Sequence, residues 1–424
     1  MPQIKPFRAY RFNPAKVHIA DVVAPPYDVI SPESQIDLYA NSPHNVVRLI
    51  LNQDTDKYDS AANFLADWKR EEVLIRDPVP AFYVLHQQFK TPEGKLHKRI
   101  GFMAACRLEE IGKGSILPHE KTHSRPREDR FSLFKSTQSM FSQIFGVYSD
   151  PENIIEKFLI EVMQGGAIAD FGFEHVETRL YGLRDQSIIA NITRFMIEQK
   201  VLIADGHHRY ETALSYRDYM RRLNPGSTGE EPFNFVPMYL TNMYSSGLIV
   251  LPTHRLVHSI PEFNQADLLK KLEERFSIQT NLSREKMVKE LRSLKAGAFG
   301  LVLPESPRFS VVRRRASEHG APKTEDGLVH SLDVTVLNRE IMESILGMSE
   351  ADQLARTFLS YDQDEDRAIE SVVLGNAQAA FIMNPTSVEN VRAAAEVGEV
   401  LPQKSTYFSP KLPSGLVNYS FVED

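Results

Sequence analysis

The stretch Val201–Leu214, VLIADGHHRYETAL, is the most informative part of this chain. Its apolar start predicts a short strand, and the residues that follow predict a tight turn and then a helix. Gly206 suits the turn because glycine adopts positive φ angles at little cost. The first N–H groups of a helix have no partner within it and point along the helix dipole, so they attract anions. The sequence therefore predicts a phosphate site formed by Gly206, His207, His208 and Arg209.

A simpler interpretation of this stretch remains open. An Asp-Gly pair is common in ordinary turns, and adjacent histidines can lie on a solvated surface. The neighbouring positions 207 and 208 cannot both face one metal ion from a regular helix, where partners stand three or four residues apart. The chain also contains no His-Glu-x-x-His motif and no Walker phosphate loop. Between a metal site and an anion site, the pattern favours the anion site.

The composition is that of a globular protein with more than one domain. The chain has 424 residues, of which 42% are hydrophobic and 25% are charged. This length exceeds that of a usual single core, so we expect two or three domains. A change in the pattern of helix-like and strand-like segments predicts one boundary near residue 255, which divides the chain into 1–255 and 256–424. Helical and strand-like patterns alternate in the second part and predict an α/β lobe there.

Charge and cysteine content exclude several classes of partner. The formal net charge of -7 argues against a general nucleic-acid binder, which needs a basic surface. Cys106 is the one cysteine, so neither a disulfide framework nor a cysteine-rich zinc site can form. No apolar run reaches the length of about 18 residues that spans a membrane, and no signal-peptide core follows Met1. We expect a cytoplasmic protein, and the sequence leaves its oligomeric state open.

A second candidate site surrounds His119 and Glu120, which lie in a polar segment rich in cationic residues. Nearby positive side chains favour the ionised form of a carboxylate. An ionised Glu120 can accept a proton from a substrate hydroxyl or help to hold a magnesium ion. A solvated loop with incidental charges is an equally good interpretation of these residues taken alone.

A third polar cluster lies near the end of the sequence and contains Lys404, Ser405, Thr406 and Lys411. Lysines beside hydroxyl groups can bind phosphate or carboxylate. The position in the chain nevertheless favours an exposed terminal tail. The tandem arginines 313–315 indicate an exposed strand edge, where charge opposes aggregation.

Four motifs together resemble the domain-of-unknown-function 1015 family over nearly the whole chain. They are Ala24–Val29 (APPYDV), His119-Glu120 with Thr122, the turn Asp205–Arg209, and Gln403–Lys411 (QKSTYFSPK). The segment Pro118-His119-Glu120 and the turn also resemble the free-serine-kinase branch of the ParB/sulfiredoxin-like fold. This resemblance implies an α+β protein with a ParB/sulfiredoxin-like core and an additional C-terminal α/β lobe. In that branch the two motifs are closer together, whereas residues 121–204 separate them here.

The kinase resemblance implies transfer of a phosphoryl group from ATP or ADP to the hydroxyl of free L-serine, with Mg2+ as cofactor. By position, Glu120 would accept the hydroxyl proton with His119 beside it, and residues 206–209 would hold the phosphates. Asp205 would orient a histidine or the metal ion. The resemblance gives Mg2+ two candidate ligands, Glu120 and Asp205. Its accessory residues would be Thr122, Lys404, Ser405, Thr406 and Lys411.

The functions of other proteins with this fold fit the sequence less well. Sulfiredoxin-like reduction needs a cysteine where His207 stands, and ParB-type proteins carry a basic DNA-binding domain that has no counterpart here. Two other functions remain open: a sensor or scaffold that binds a nucleotide or phosphometabolite without turnover, and a phosphate-ester hydrolase. We expect a nucleotide and a small hydroxylated metabolite as partners, and neither nucleic acid nor membrane.

Overall fold

Two compact units make up the part of the chain that this computed structural model describes, residues 1–91, 94–120, 124–294, 296–315, 328–402 and 404–422. Unit 1 contains the described residues within 1–118, 122–249 and 410–424. Unit 2 contains those within 119–121 and 250–409. The end of the chain thus belongs to the same unit as its beginning. The boundary near residue 255 stays a prediction about domains.

Helices and strands are mixed along the chain. The strands are β1 (Ile4–Lys5), β2 (Tyr10–Phe12), β3 (Leu74–Arg76), β4 (Phe82–Lys90), β5 (Leu96–Arg107), β6 (Ile116–Leu117), β7 (Ser139–Met140), β8 (Ile144–Tyr148), β9 (Ala169–Phe173), β10 (Val176–Leu183), β11 (Val201–Asp205), β12 (Phe235–Asn242), β13 (Ile249–Leu251), β14 (His254–Val257), β15 (Phe276–Gln279), β16 (Ala298–Val302), β17 (Phe309–Arg314), β18 (Leu359–Asp362), β19 (Ala379–Ile382), β20 (Tyr407–Ser409) and β21 (Tyr419–Ser420). The α-helices are α1 (Ile19–Val22), α2 (Pro32–Asn41), α3 (Val47–Ile50), α4 (Lys57–Arg70), α5 (Ser124–Thr137), α6 (Ile154–Val162), α7 (Gln186–Ile197), α8 (His207–Leu223), α9 (Gln265–Arg275), α10 (Arg284–Leu294), α11 (Leu328–Ser331), α12 (Asp333–Val336), α13 (Glu350–Ala355), α14 (Glu365–Val373) and α15 (Val388–Glu396). Leu337–Ile345 is a π-helix, and Tyr27–Val29 and Pro232–Asn234 are 3-10 helices. The predicted α+β class is confirmed.

A mixed sheet forms the centre of unit 1, with the strand order β6-β11-β8-β12-β5-β4-β10-β9 and β1 paired to β5. β11 runs parallel to β6 and antiparallel to β8, so that Leu202 lies opposite both Leu117 and Val147. The pairing with β8 shifts in register between Ile203 and Asp205. The strand predicted at the start of the 201–214 stretch is therefore present, and it ends in an irregularity beside the turn.

The apolar residues of unit 1 occupy the positions that strand and helix periods require. β4 and β5 form the predicted long hairpin, with Tyr83 opposite Met103. All positions of β12 are buried, as expected for a strand inside a sheet that is covered on both faces. α4 buries Ala61, Leu65 and Trp68, whose spacing of four and three residues places them on one helical face.

Unit 2 has its own sheet, with the strand order β15-β17-β16-β19-β14-β18 and antiparallel pairing between neighbouring strands. α10 and α14 bury apolar residues in its core, among them Met287, Leu291 and Ile369. The prediction that arginines 313–315 mark a strand edge is wrong, because β17 lies between β15 and β16. The charges stand at the end of this inner strand, where Arg313 donates to Gln279 Oε1 at 3.1 Å.

Two further features of the structure concern its helices and its cysteine. Among the described residues, no helix is both long and apolar enough to cross a membrane. Cys106 is fully buried in β5, and burial raises the pKa of its thiol to about 12. A thiol with such a pKa is a poor nucleophile at neutral pH, which agrees with the exclusion of sulfiredoxin-like chemistry.

Candidate functional site

The turn between β11 and α8 has the conformation that its glycine predicts. Gly206 has φ 94° and ψ 26°, in the left-handed region, and α8 begins at the next residue. The Tyr210 N–H donates to the Gly206 carbonyl oxygen at 2.9 Å and closes the first turn. His207 is 8% exposed and His208 is half-buried. The predicted phosphate residues thus occupy the first turn of a long helix, where backbone N–H groups lack acceptors within the helix.

Asp205 lies between two cationic side chains at this turn. Its Oδ2 accepts a hydrogen bond from Arg209 Nη2 at 2.6 Å, and its Oδ1 accepts one from Lys411 Nζ at 2.8 Å. Arg209 is 6% exposed, and its Nη1 donates to the carbonyl oxygen of Gln143. The guanidinium group therefore fixes the turn itself. Its contact with a phosphate stays a prediction.

The C-terminal segment that carries Lys411 is not an exposed tail. The Lys411 side chain is 12% exposed, and Arg99, which is fully buried, donates to the Pro410 carbonyl oxygen at 2.6 Å. The Ser414 N–H donates to the Ala24 carbonyl oxygen at 2.7 Å. The expectation of an exposed tail is therefore wrong. Partners far earlier in the chain hold this segment, and no local pattern in the sequence reveals such pairings.

Tyr27, within the motif Ala24–Val29, lies close enough to Arg209 for the positive charge of Arg209 to lower the pKa of the Tyr27 phenol. Burial raises the pKa of the Tyr27 phenol to about 12 and Asp28 adds to the rise, whereas Arg130 and Arg209 oppose it. The guanidinium group of Arg130 stands 4.2 Å from the centre of the Tyr27 ring. Tyr27 therefore keeps its proton at neutral pH and can donate a hydrogen bond. Sequence reasoning gave it no role, although its motif carried part of the family resemblance.

In unit 2, His119 is fully buried and contacts Leu401, Thr406 and Phe408. Its Nε2 lies 2.9 Å from Thr406 Oγ1, and its carbonyl oxygen accepts a hydrogen bond from the Leu401 N–H at 2.7 Å. The ring of Phe408 packs edge-on against the imidazole. The same Nε2 lies 3.8 Å from Glu120 Oε1. These contacts fix the imidazole in one orientation beside the carboxylate.

Glu120 presents a carboxylate that solvent can reach, since its side chain is 18% exposed. Its Oε1 accepts a hydrogen bond from the Ser405 N–H at 3.2 Å. Arg255 is 1% exposed, and burial lowers its pKa while the nearby Tyr361 and Glu120 raise it. Its Nη2 donates to the Lys404 carbonyl oxygen at 3.2 Å. Sequence reasoning missed Arg255, because nothing in the sequence of β14 (HRLV) shows that all four of its residues are buried.

The predicted site residues fall into two groups, one in each unit. Unit 1 holds Asp205, Gly206, His207, His208, Arg209 and Lys411, and unit 2 holds His119, Glu120, Lys404, Ser405 and Thr406. Thr122 lies outside the described residues. In unit 2, Ser405 is 4% exposed and Thr406 is 8% exposed, so both belong to the buried frame of the histidine. Joint action of the two groups on one substrate stays a prediction.

The two predicted magnesium ligands differ in how well they fit a metal ion. Magnesium is commonly held by one or two carboxylates together with substrate phosphates. Asp205 fits poorly, because each of its oxygens accepts a hydrogen bond from a cation. Glu120 fits better, because its carboxylate is partly exposed and one oxygen accepts from a neutral N–H. No cluster of three or more His, Cys, Asp or Glu side chains suited to a metal occurs in the described part of the chain.

Comparison with known families places this α+β protein in a defined group. Residues 4–335 match the family described as protein of unknown function (DUF1015). The chain belongs to this family, and the membership predicted from its motifs is confirmed. No curated protein matches the chain.

Solved structures of three proteins show a distant likeness to the chain. A free serine kinase in complex with AMP is 15% identical, with a TM-score of 0.37, over 71% of this chain and 89% of that one. A conserved hypothetical protein from Pyrococcus furiosus is 14% identical, with a TM-score of 0.37, over 73% and 95%. SbnI from Staphylococcus aureus with a C-terminal truncation is 11% identical, with a TM-score of 0.35, over 72% and 83%. Likeness at this level says nothing about the activity of this chain.

The first prediction concerns the Gly206 turn. In Gly206→Ala the new Cβ would lie 3.1 Å from the Arg209 guanidinium carbon, at a φ that side chains rarely adopt. We expect a loss of about 1–2 kcal/mol in unfolding free energy from the backbone alone, and more from the contact with Arg209. Gly112→Ala is the matched control, because Gly112 has φ 75° with no atom near its Cβ position. Denaturant titrations that give equal losses for both variants would show that Arg209 does not pack against the turn.

The second prediction concerns the cation at the end of the chain. Lys411→Met keeps the length of the side chain but removes one donor from the partly buried Asp205. We expect the unfolding free energy to fall by about 1–3 kcal/mol. Lys16→Met is the control: the Lys16 side chain is 42% exposed and 3.6 Å from Glu72, and it should change stability by less than about 0.5 kcal/mol. Equal midpoints for wild type and Lys411→Met in urea would contradict the pairing.

Proposed function

We propose that this protein is a magnesium- and nucleotide-dependent phosphotransferase that acts on the hydroxyl group of a small metabolite. ATP or ADP is the proposed donor, and free L-serine is the first acceptor to test. The observation that carries the proposal is the turn at Asp205–Arg209, in which two cations fix a single carboxylate at the start of α8. The excess positive charge and the N–H groups of the helix start together suit the phosphates of a nucleotide.

In this proposal the residues of unit 1 bind the phosphates of the nucleotide. The first N–H groups of α8, with His207 and His208, contact the phosphate oxygens. Arg209 and Lys411 supply positive charge, while Asp205 keeps both cations in place. A rigid arrangement of this kind stabilises the charge that develops on the transferred group without reorganisation during the reaction.

In the same proposal the residues of unit 2 accept the proton of the acceptor hydroxyl. The oxygen of the acceptor hydroxyl forms a bond to the terminal phosphorus of the nucleotide, the bond from that phosphorus to the leaving phosphate breaks, and the hydroxyl proton passes to Glu120. His119 and the Ser405 N–H position the Glu120 carboxylate. Magnesium, held through Glu120 and the phosphates, would neutralise charge on the donor.

The third prediction tests this assignment through Glu120→Gln, which keeps the shape of the side chain and removes the proton acceptor. We expect formation of phosphoserine from ATP or ADP and Mg2+ to slow by about a hundred- to ten-thousandfold, with nucleotide affinity in the absence of Mg2+ little changed. The measurement is phosphorylated product by mass spectrometry, with nucleotide affinity by calorimetry. Glu274→Gln, at an exposed position of α9 in the same unit, should react like wild type.

Three results would contradict the proposal. The first is a Glu120→Gln variant that reacts at the wild-type rate. The second is a folded wild type that forms no phosphorylated product from serine or from a panel of hydroxylated metabolites, although it binds nucleotide; that result favours a sensor. The third is release of free phosphate without a phosphorylated acceptor, which favours a hydrolase.

A further inference from the structure

The motif Ala24–Val29 lies beside the unit 1 site but has no part in the phosphoryl transfer described above. Its first residue pairs with the C-terminal segment: the Ala24 N–H donates to the Ser414 carbonyl oxygen at 3.3 Å, and the Ser414 N–H donates to the Ala24 carbonyl oxygen at 2.7 Å. Three residues earlier in that segment, Lys411 Nζ donates to Asp205 Oδ1 at 2.8 Å. One segment therefore contacts both the motif and the turn that precedes α8.

A second set of contacts joins the motif to Arg209. Ser414 Oγ lies 2.6 Å from Ser142 Oγ, and the carbonyl oxygen of the next residue, Gln143, accepts a hydrogen bond from Arg209 Nη1. The positive charge of Arg209 lowers the pKa of the Tyr27 phenol, against the larger rise that burial causes. The contacts and this electrostatic effect together place the Tyr27 side chain near the Arg209 guanidinium group.

The ring of Tyr27 is fixed by its surroundings. Tyr27 begins a 3-10 helix directly after Pro26, whose ring fixes the preceding φ angle. The guanidinium group of Arg130 stands 4.2 Å from the centre of the Tyr27 ring, where a cation is attracted to the ring face. That guanidinium group is held in turn, because it donates to the Ile50 carbonyl oxygen at 2.7 Å and to Asp129 Oδ2 at 2.9 Å. The phenol therefore has one defined position.

The hydroxyl group of Tyr27 has no hydrogen-bond partner among the described residues, yet solvent reaches it. Tyr27 is half-buried, and its oxygen is not one of the fully buried side-chain atoms that lack a partner. Tyr39, which packs against the same core, differs: its ring has the Arg48 guanidinium 4.3 Å from its centre, and its hydroxyl accepts from the Gln53 N–H at 2.9 Å. A fixed phenol that keeps its proton and has no partner can donate to a ligand.

We propose that the Tyr27 hydroxyl donates a hydrogen bond to a phosphate oxygen of the ligand bound at the start of α8, beside the Arg209 guanidinium group. Hydrogen bonds to an ionised acceptor are stronger than those between neutral groups, so a single well-placed phenol contributes measurably to phosphate binding. The inference rests on the proposed function in one respect, that the ligand at this turn carries phosphate. The base and the sugar of a nucleotide take no part in the contact.

The fourth prediction tests this hydroxyl through Tyr27→Phe, which keeps the ring and its contact with Arg130. We expect the affinity for ADP without Mg2+ to fall by about tenfold or more, because one hydrogen bond to a charged acceptor is lost. The melting temperature without ligand should equal that of wild type, because the hydroxyl has no partner in the described part of the chain. The measurements are calorimetric titration and thermal unfolding of the full chain.

Tyr39→Phe is the matched control for this substitution. It also removes a phenol hydroxyl from a half-buried ring that packs on an arginine, but that hydroxyl already accepts from the Gln53 N–H. We expect its ADP affinity to equal that of wild type and its melting temperature to be equal or lower. A clear fall in the melting temperature of Tyr27→Phe would assign the hydroxyl a structural role and overturn the inference.

Pyrophosphate and adenosine, used as further probes, separate this inference from the proposed function. Equal ADP affinity in wild type and Tyr27→Phe would overturn the inference alone, as would an equal loss of affinity for ADP and adenosine. Weaker binding of ADP or pyrophosphate by Tyr27→Phe, in a protein that transfers no phosphoryl group, would support the inference and contradict the proposed function. Wild type that binds neither ADP nor pyrophosphate would overturn both.

Discussion

The carboxylate of Asp205, held between Arg209 and Lys411, is the interaction on which the unit 1 site depends. It joins the end of β11, the first turn of α8 and the C-terminal segment at one point. The positive φ of Gly206 makes this possible, because the chain must reverse direction between Asp205 and the helix without a side chain in the way. A partly buried carboxylate between two cations is rigid, and rigid charge is what the binding of a phosphate requires.

Each unit uses a buried arginine to hold a backbone segment that carries candidate site residues. In unit 1 Arg99 donates to the Pro410 carbonyl oxygen, next to Lys411. In unit 2 Arg255 donates to the Lys404 carbonyl oxygen, next to Ser405. Burial of a guanidinium group is costly, and a carbonyl oxygen compensates only part of that cost. Such buried cations are unusual in a core.

The sequence was sufficient for features that depend on local pattern. The strand, the glycine turn and the helix of residues 201–223, the hairpin of β4 and β5, and the α+β class all follow from period and turn chemistry. It was insufficient where the outcome depends on distant partners. Lys411 and Ser405 were expected in an exposed tail, since no neighbouring residue in the sequence indicates that they contact Asp205 and Glu120. Arginines 313–315 looked like a strand edge, since pairing on both sides of β17 is set by the fold of the whole unit.

The same limit applies to the direction in which a side chain points. The contact of Arg209 with a phosphate stays a prediction, and the structure adds that its guanidinium group donates to Asp205 and to the Gln143 carbonyl oxygen. Sequence spacing correctly placed Arg209 in the first turn of α8, but it could not show which groups the guanidinium would contact.

Hydrogen–deuterium exchange with and without saturating ADP and Mg2+ tests the central claim most directly, because it reports on the backbone N–H groups of the turn themselves. We expect slower exchange at the amides of residues 206–209 when the nucleotide is bound, since the phosphate oxygens then occupy the helix start. Nucleotide that binds and leaves exchange at these amides unchanged, or that does not bind, would contradict the account.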